Sequence, residues 1–160
     1  GLDKEYTGTF FIGGTTPSYD LETEANYEFD TSHISEELIR ETAKSFEGKI
    51  KQVPPVYSAV KINGKRAYLS ARKKESVDIP AREVFIHEFE LMEAGVPETK
   101  FRISCSKGTY IRTLANDFGK ALKSGAYLQS LRRTRIGEYH VDNAISIQEF
   151  EGFLNRLPEK

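Results

Sequence analysis

The sequence predicts an α+β domain: a mostly antiparallel mixed sheet flanked by helices. Three observations carry this. Apolar residues alternate at period two over Tyr6–Ile12, Glu83–Met92 and Thr99–Cys105, as in half-buried strands. They recur at helical spacing over Ser35–Phe46, over Ile111–Leu122 and again after Ser146. Gly95-Val96-Pro97 is a turn short enough to join its two flanking strands only as an antiparallel hairpin. Long strands towards both ends of the chain suggest a central sheet with helices on its faces.

Taken in order, Tyr6–Ile12 is a strand closed by Gly13-Gly14, and Thr15-Thr16-Pro17-Ser18-Tyr19-Asp20 is loop chemistry. Tyr27-Glu28-Phe29 reads as a short strand. Ser35 caps a helix with Glu36 and Glu37 in its favourable first turn, an apolar stripe of Ile34, Leu38, Ile39, Ala43 and Phe46, and Gly48 as its stop. Pro54-Pro55 forbids a helix, and Val56–Ile62 alternates as a strand. Asn63-Gly64 signals a tight turn, and Lys65–Lys74 a short, very basic helix. Tyr57 and Tyr68, set among these cations, suit either stacking on bases or ordinary burial. Tyr127–Tyr139 is a strand with Leu128, Leu131 and Ile136 among Arg132, Arg133 and Arg135. Ser146-Ile147-Gln148-Glu149 is a capping box whose helix should pack Ile147, Phe150, Phe153 and Leu154.

With 38% apolar and 29% charged residues the chain is globular rather than disordered. No apolar run approaches the ~18 residues of a membrane-spanning helix. A single cysteine excludes an internal disulfide framework, and with His33, His87 and His140 it gives no metal-ligand spacing. No metal or cofactor is implied. Cys105, on a strand with no histidine motif nearby, reads as a core residue rather than a nucleophile. There is no phosphate-binding glycine loop and no serine in a nucleophile elbow.

The net charge of −1 conceals strong segregation. Residues 49–74 carry eight cations and no acid, and residues 106–137 carry seven cations against Asp117 alone. Two such blocks suit the neutralisation of nucleic-acid phosphates, and equally suit two solvated faces offset by the acidic segments around them.

The stretch Ser104–Leu114 joins a strand to a helix through Lys107-Gly108-Thr109, with Thr109 as the expected N-cap. Arg112 then falls in the first helical turn, where a cation gains nothing from the helix dipole. A nearby acid would explain it as a surface pair; a functional partner would explain it otherwise.

Several blocks decide the matter by likeness. They are Lys4-Glu5-Tyr6, Gly14-Thr15-Thr16 with Asp20, Gln52-Val53-Pro54-Pro55-Val56-Tyr57-Ser58-Ala59-Val60-Lys61, and Asn63-Gly64-Lys65-Arg66-Ala67-Tyr68. Cys105–Leu114, Asp117, Gly119, Gly125-Ala126 and Leu131–Arg135 complete them, so that they span most of residues 4–150. In these the chain resembles the tRNA pseudouridine synthases of the TruB type, whose eukaryotic and archaeal relatives include dyskerin.

That resemblance implies a cytoplasmic, cofactor-independent enzyme that flips a uridine out of the tRNA T-arm loop and isomerises it to pseudouridine. It implies that Tyr6 stacks on the base and helps remove the proton from its carbon, and that Arg112 pairs with a catalytic aspartate. Tyr110 and Leu131 would line the pocket; Lys61, Lys65, Arg132 and Arg133 would hold RNA phosphates. The family's Gly-His-x-Gly-x-Leu-Asp-Pro motif, which carries the aspartate, does not occur in the 160 residues, and Asp3, Asp20 and Asp117 lie in other contexts. The expectation is therefore a partial catalytic domain over residues 1–160, incomplete at its N-terminus, lacking the usual RNA-binding domain after it, and inactive alone. Such a piece should expose a sheet edge able to pair with another chain. The alternative is a non-catalytic RNA-binding module of the same fold.

Overall fold

The computed structural model describes residues 1–58 and 79–156, with the backbone alone of 61–62 and 65–66 between them. Its centre is β1 (Lys4–Ile12), hydrogen-bonded on one side to β6 (Glu98–Cys105) and on the other to β7 (Ala126–Ile136). β5 (Arg82–Glu93) continues from β6, and β2 (Gly48–Gln52) and β8 (Tyr139–His140) form the two edges. The order is β2-β5-β6-β1-β7-β8, and all five pairings are antiparallel. β3 (Lys61–Ile62) and β4 (Lys65–Arg66) pair separately.

One face of the sheet is covered by α1 (Glu36–Ser45) and α2 (Ile111–Ala121). Between sheet and helices lie Phe10, Ile12, Ile86, Phe89, Phe101, Ile103, Cys105, Leu114, Phe118 and Leu128, all buried. Phe118 of α2 is a hub, 5.6–6.1 Å in centroid distance from Phe10, Phe89 and Phe46. Each such ring removes roughly 1.5–3 kcal/mol worth of apolar surface from water. α2 sits directly on β7 because Gly119 has no side chain: a β-carbon there would overlap the backbone of Gly125 and Ala126.

β5 shows why its alternation is ambiguous in sequence. Val84 and Ile86 point inward and Phe85 is 44% exposed, yet Phe89 is buried. A register shift between Ile86 and Glu88 inserts one extra residue and exchanges the faces. The solvent face then carries Glu88 and Glu90, which with Glu5 hold Arg102 at 2.7–3.3 Å.

Several expectations are corrected. Tyr27–Phe29 is not a strand; the loop is tied instead by a single bridge between Thr15 and Asn26. Val56–Ser58 bends rather than extends, because the prolines before it leave the sheet. Lys65 and Arg66 are in strand, so a helix does not begin there; residues 67–74, with Tyr68, lie outside the described residues. The strand expected over Tyr127–Tyr139 ends at Ile136, where Gly137 (φ +56°) turns the chain into β8. Thr109 does not cap α2: its hydroxyl donates to the Ser106 carbonyl at 2.9 Å, and Tyr110 precedes the helix without a side-chain cap.

α3 (Ile147–Leu154) has the expected capping box at Ser146 and Glu149. Its apolar face does not pack, however: Ile147, Phe150, Phe153 and Leu154 are 47–75% exposed. Periodicity reports that a helix face is apolar, not that this chain covers it.

Candidate active site

Arg112 is the second residue of α2, 22% exposed. Its Nη1 donates to Asp20 Oδ2 at 2.9 Å and its Nη2 to the Tyr57 carbonyl at 3.0 Å. Asp20 is 18% exposed. A charge-assisted pair this shielded outweighs the dipole penalty of about 0.3–1 kcal/mol at that end of the helix. The arginine thus has a carboxylate partner within the chain, Asp20.

Two segments far away in sequence build this half of the site. The loop after β1 brings Asp20. Tyr19, at φ +64°, turns the backbone; its carbonyl accepts from Leu128 N–H at 2.9 Å, which fastens Asp20 beside β7. Thr16 Oγ1 donates to the Asp20 carbonyl at 2.7 Å. The segment after β2 supplies the other wall. Gln52, 1% exposed, donates through Nε2 to the Tyr110 carbonyl at 3.3 Å and accepts the Tyr110 N–H on Oε1 at 3.0 Å. Its amide thereby pairs both backbone groups of the residue that precedes α2, whose carbonyl also accepts the Leu114 N–H at 3.0 Å. Thr113 Oγ1 donates to the Val53 carbonyl at 3.2 Å. Tyr110, Arg112 and Thr113 are in this way stitched to residues 52–57.

Tyr6 and Leu131 belong to the other half. Tyr6 lies opposite Ile103 of β6 and Arg133 of β7, partly buried against the core. Burial pushes its phenol above the ordinary value, reinforced by the neighbouring Cys105 thiol and opposed by the Arg133 guanidinium. Leu131, 45% exposed, lies opposite Gly8, where a β-carbon would press on the Phe101 ring and overlap the Ser130 carbonyl. Arg132 and Arg133 are exposed on β7. The ladder therefore places Tyr6, Leu131 and Arg133 on one face of the sheet and Arg132, opposite Thr7, on the other, while the start of α2 carries Tyr110 and Arg112. Among the described residues no hydrogen bond or ion pair joins Tyr6 to Arg112. The side chains of Lys61 and Lys65 lie outside the described residues.

Beside α2 is a cleft of about 390 Å³ lined by Tyr19, Lys51, Val53, Thr113, Asp117 and Lys120 among others. Burial holds the Asp117 carboxyl above its ordinary value, with Lys120 and Asn116 opposing. Cys105 is fully buried and its thiol is pushed up by that burial, as for a core residue. No three metal-ligating side chains converge among the described residues.

Asp20 and Gln52 lie in the blocks that resemble the family, and the resemblance gives neither a role. The available signal was chemical: a glutamine inside an apolar, proline-bounded segment must satisfy its amide, and an aspartate in a hydroxyl-rich loop must meet a cation or water.

The comparisons agree along the whole chain. The TruB family pseudouridylate synthase N-terminal domain matches residues 1–111, and the tRNA pseudouridylate synthase B C-terminal domain matches residues 112–159. The tRNA pseudouridine synthase B of Flavobacterium johnsoniae is 59% identical over 154 residues, covering 96% of this chain and 67% of that protein. That of Phocaeicola vulgatus is 49% identical over 153 residues, covering 96% and 65%. The chain thus spans about two thirds of the length of these relatives. Among solved structures, a Cbf5-Nop10-Gar1 complex matches with a TM-score of 0.67 at 26% identity, over 96% of this chain and 37% of the other. An H/ACA RNP bound to a substrate RNA containing 2'-deoxyuridine shares the fold, with a TM-score of 0.61 at 23% identity over 95% and 34%. With matches in order from end to end, the chain belongs to the TruB family of pseudouridylate synthases.

Proposed function

We propose that these residues are part of an enzyme that isomerises a uridine of tRNA, in the T-arm loop, to pseudouridine. The observation that supports this most is Arg112: a shielded arginine, fixed from two sides, in the Cys105–Leu114 block that resembles the family. On this reading Arg112 holds the reacting carboxylate. Asp20 sets the plane of its guanidinium, and the nucleophilic aspartate is contributed from outside the 160 residues, which alone are inactive. Tyr110 and Leu131 line the base pocket, which replaces the stacking a flipped base loses, a few kcal/mol. Tyr6 stacks on the base and, with its phenol kept protonated by burial, helps remove the proton from carbon as a relay: as its oxygen takes that proton, its own O–H proton passes to water. Lys61, Lys65, Arg132 and Arg133 hold phosphates.

The residues named need no cofactor. Association with another chain has the β2 edge to use, where exposed Lys49 and Lys51 favour an acidic partner strand. A second reading, a non-catalytic RNA-binding module, is favoured by one observation: Arg112 is already satisfied by Asp20. Release of tritium from a T-arm stem-loop labelled at C5 of its uridine separates the two. The full-length protein should release it at single-turnover rates; binding without release would leave the module.

A further inference from the structure

The Asp20 carboxylate is held by more than Arg112. Its Oδ1 accepts from Ser18 Oγ at 2.6 Å and from Glu22 N–H at 3.0 Å, while Oδ2 accepts from Arg112. Ser18 is completely buried. Ser18 Oγ also lies 2.9 Å from Thr23 Oγ1, and Thr23 Oγ1 accepts the Ser18 N–H at 3.2 Å. Another acceptor for Ser18 Oγ, the Asp20 carbonyl, stands farther off at 3.3 Å.

Each hydroxyl has one proton, which fixes the direction of the chain. A carboxylate cannot donate, so the Ser18 proton goes to Asp20. Ser18 Oγ must then accept from Thr23, whose oxygen is left to accept the Ser18 amide. Every proton from the Ser18 amide to Asp20 has one place to go. The main chain of the loop is anchored independently, by Thr16 to the Asp20 carbonyl and by Leu128 to Tyr19. Loss of the Ser18 hydroxyl therefore leaves Oδ1 with the Glu22 N–H alone and loosens the Asp20 carboxylate without moving its backbone.

We propose that Ser18 and Thr23 are positioning residues: a two-hydroxyl relay that locks the Asp20 carboxylate and, through it, the plane of the Arg112 guanidinium. The inference rests on the reading of Arg112 as the residue that holds the reacting carboxylate. It acts on orientation, so it should appear in turnover rather than in RNA affinity.

The test uses the full-length enzyme with Ser18→Ala, Thr23→Val and Thr23→Ser. Expected are falls in kcat of about 10- to 100-fold for Ser18→Ala and Thr23→Val, with KM for a T-arm stem-loop within about twofold of wild type and near-normal rates for Thr23→Ser. In nitrogen-15 spectra the Arg112 guanidinium should lose its hindered, distinct N–H signals in the first two variants and keep them in the third. Unchanged kcat with unchanged Arg112 signals overturns the relay. A raised KM at constant kcat also overturns it, since the hydroxyls would then touch RNA. So does a loss of rate that Thr23→Ser fails to restore and that follows the melting temperature. Should the wild type not convert the stem-loop, the functional reading falls on its own. The Arg112 spectra then decide the relay: averaged signals in the two variants uphold it, distinct ones overturn it.

Discussion

On β1 and β7, Tyr6, Leu131, Arg132 and Arg133 are placed by the strand ladder itself, with backbone hydrogen bonds on both sides of β1. At the start of α2, Tyr110 and Arg112 take their places from the Gln52 and Asp20 side chains and the Tyr57 carbonyl, from segments 55 to 92 positions away. The two regions would carry one reaction, but they fail differently. In the ladder no single side chain sets the backbone, so a substitution there removes only its own chemistry. On α2 each side chain also holds another in position, so a substitution spreads to its neighbours.

The largest effect should come from the helix region. Arg112→Ala in the full-length protein should lower turnover by about 10³-fold or more while RNA affinity stays within about threefold, measured by single-turnover tritium release and by stem-loop titration. Equal losses in both would make Arg112 a phosphate contact and dissolve the distinction between the regions. Tyr6→Phe, in the ladder, should keep stacking and fold and lose about 10²-fold in rate, the scale of one proton-transfer group. A near-normal rate would leave Tyr6 as a stacking surface alone.

These two regions were also unequally legible in the sequence. Strand alternation is local, so β1, β6 and β7 could be read from their own residues, and the antiparallel hairpin followed from its turn. The face of β5 could not, because one inserted residue, His87, reverses inside and outside without altering composition. The helix region was harder still. The likeness pointed to Arg112, but its pairing with Asp20 depends on a loop whose course is set by the bridges Thr15–Asn26 and Asp20–Leu128 and by the Thr16 hydroxyl. No periodicity encodes a contact of that separation. The apolar face of α3 shows the opposite error, a clear local pattern whose tertiary consequence did not follow.

Gln52 makes the dependence of the helix region measurable as stability. Gln52→Ala leaves the half-buried Tyr110 N–H without its partner, while the Tyr110 carbonyl keeps its bond from the Leu114 N–H, and should cost about 1–3 kcal/mol by denaturant unfolding. Gln52→Glu keeps the acceptor, loses the donor and sets a carboxylate against the Tyr110 carbonyl, so it should not restore stability. If both variants match wild type, α2 is held by its packing on β7 and the stitching to residues 52–57 is incidental.

The smallest effect belongs to the ladder's solvent face. Glu5, whose side chain is 13% exposed, accepts from Thr134 at 2.8 Å and from Arg102 at 3.3 Å. Burial alone would raise its carboxyl, but the Thr134 hydroxyl and the Arg102 and Arg135 guanidinia together hold it below the ordinary value of 4.5. A carboxylate depressed in the folded state stabilises the protein above its unfolded pKa. That contribution is lost as pH falls through the folded value, because the unfolded chain takes up the proton first. The difference in unfolding free energy between wild type and Glu5→Gln should therefore be constant near neutrality, shrink as pH falls below about 4.5, and stay within roughly 1 kcal/mol for a group near solvent. A difference that grows on acidification would mean that Glu5 is held protonated by burial. The Arg102 cluster would then be a surface contact with no bearing on how firmly β1, and Tyr6 with it, is held.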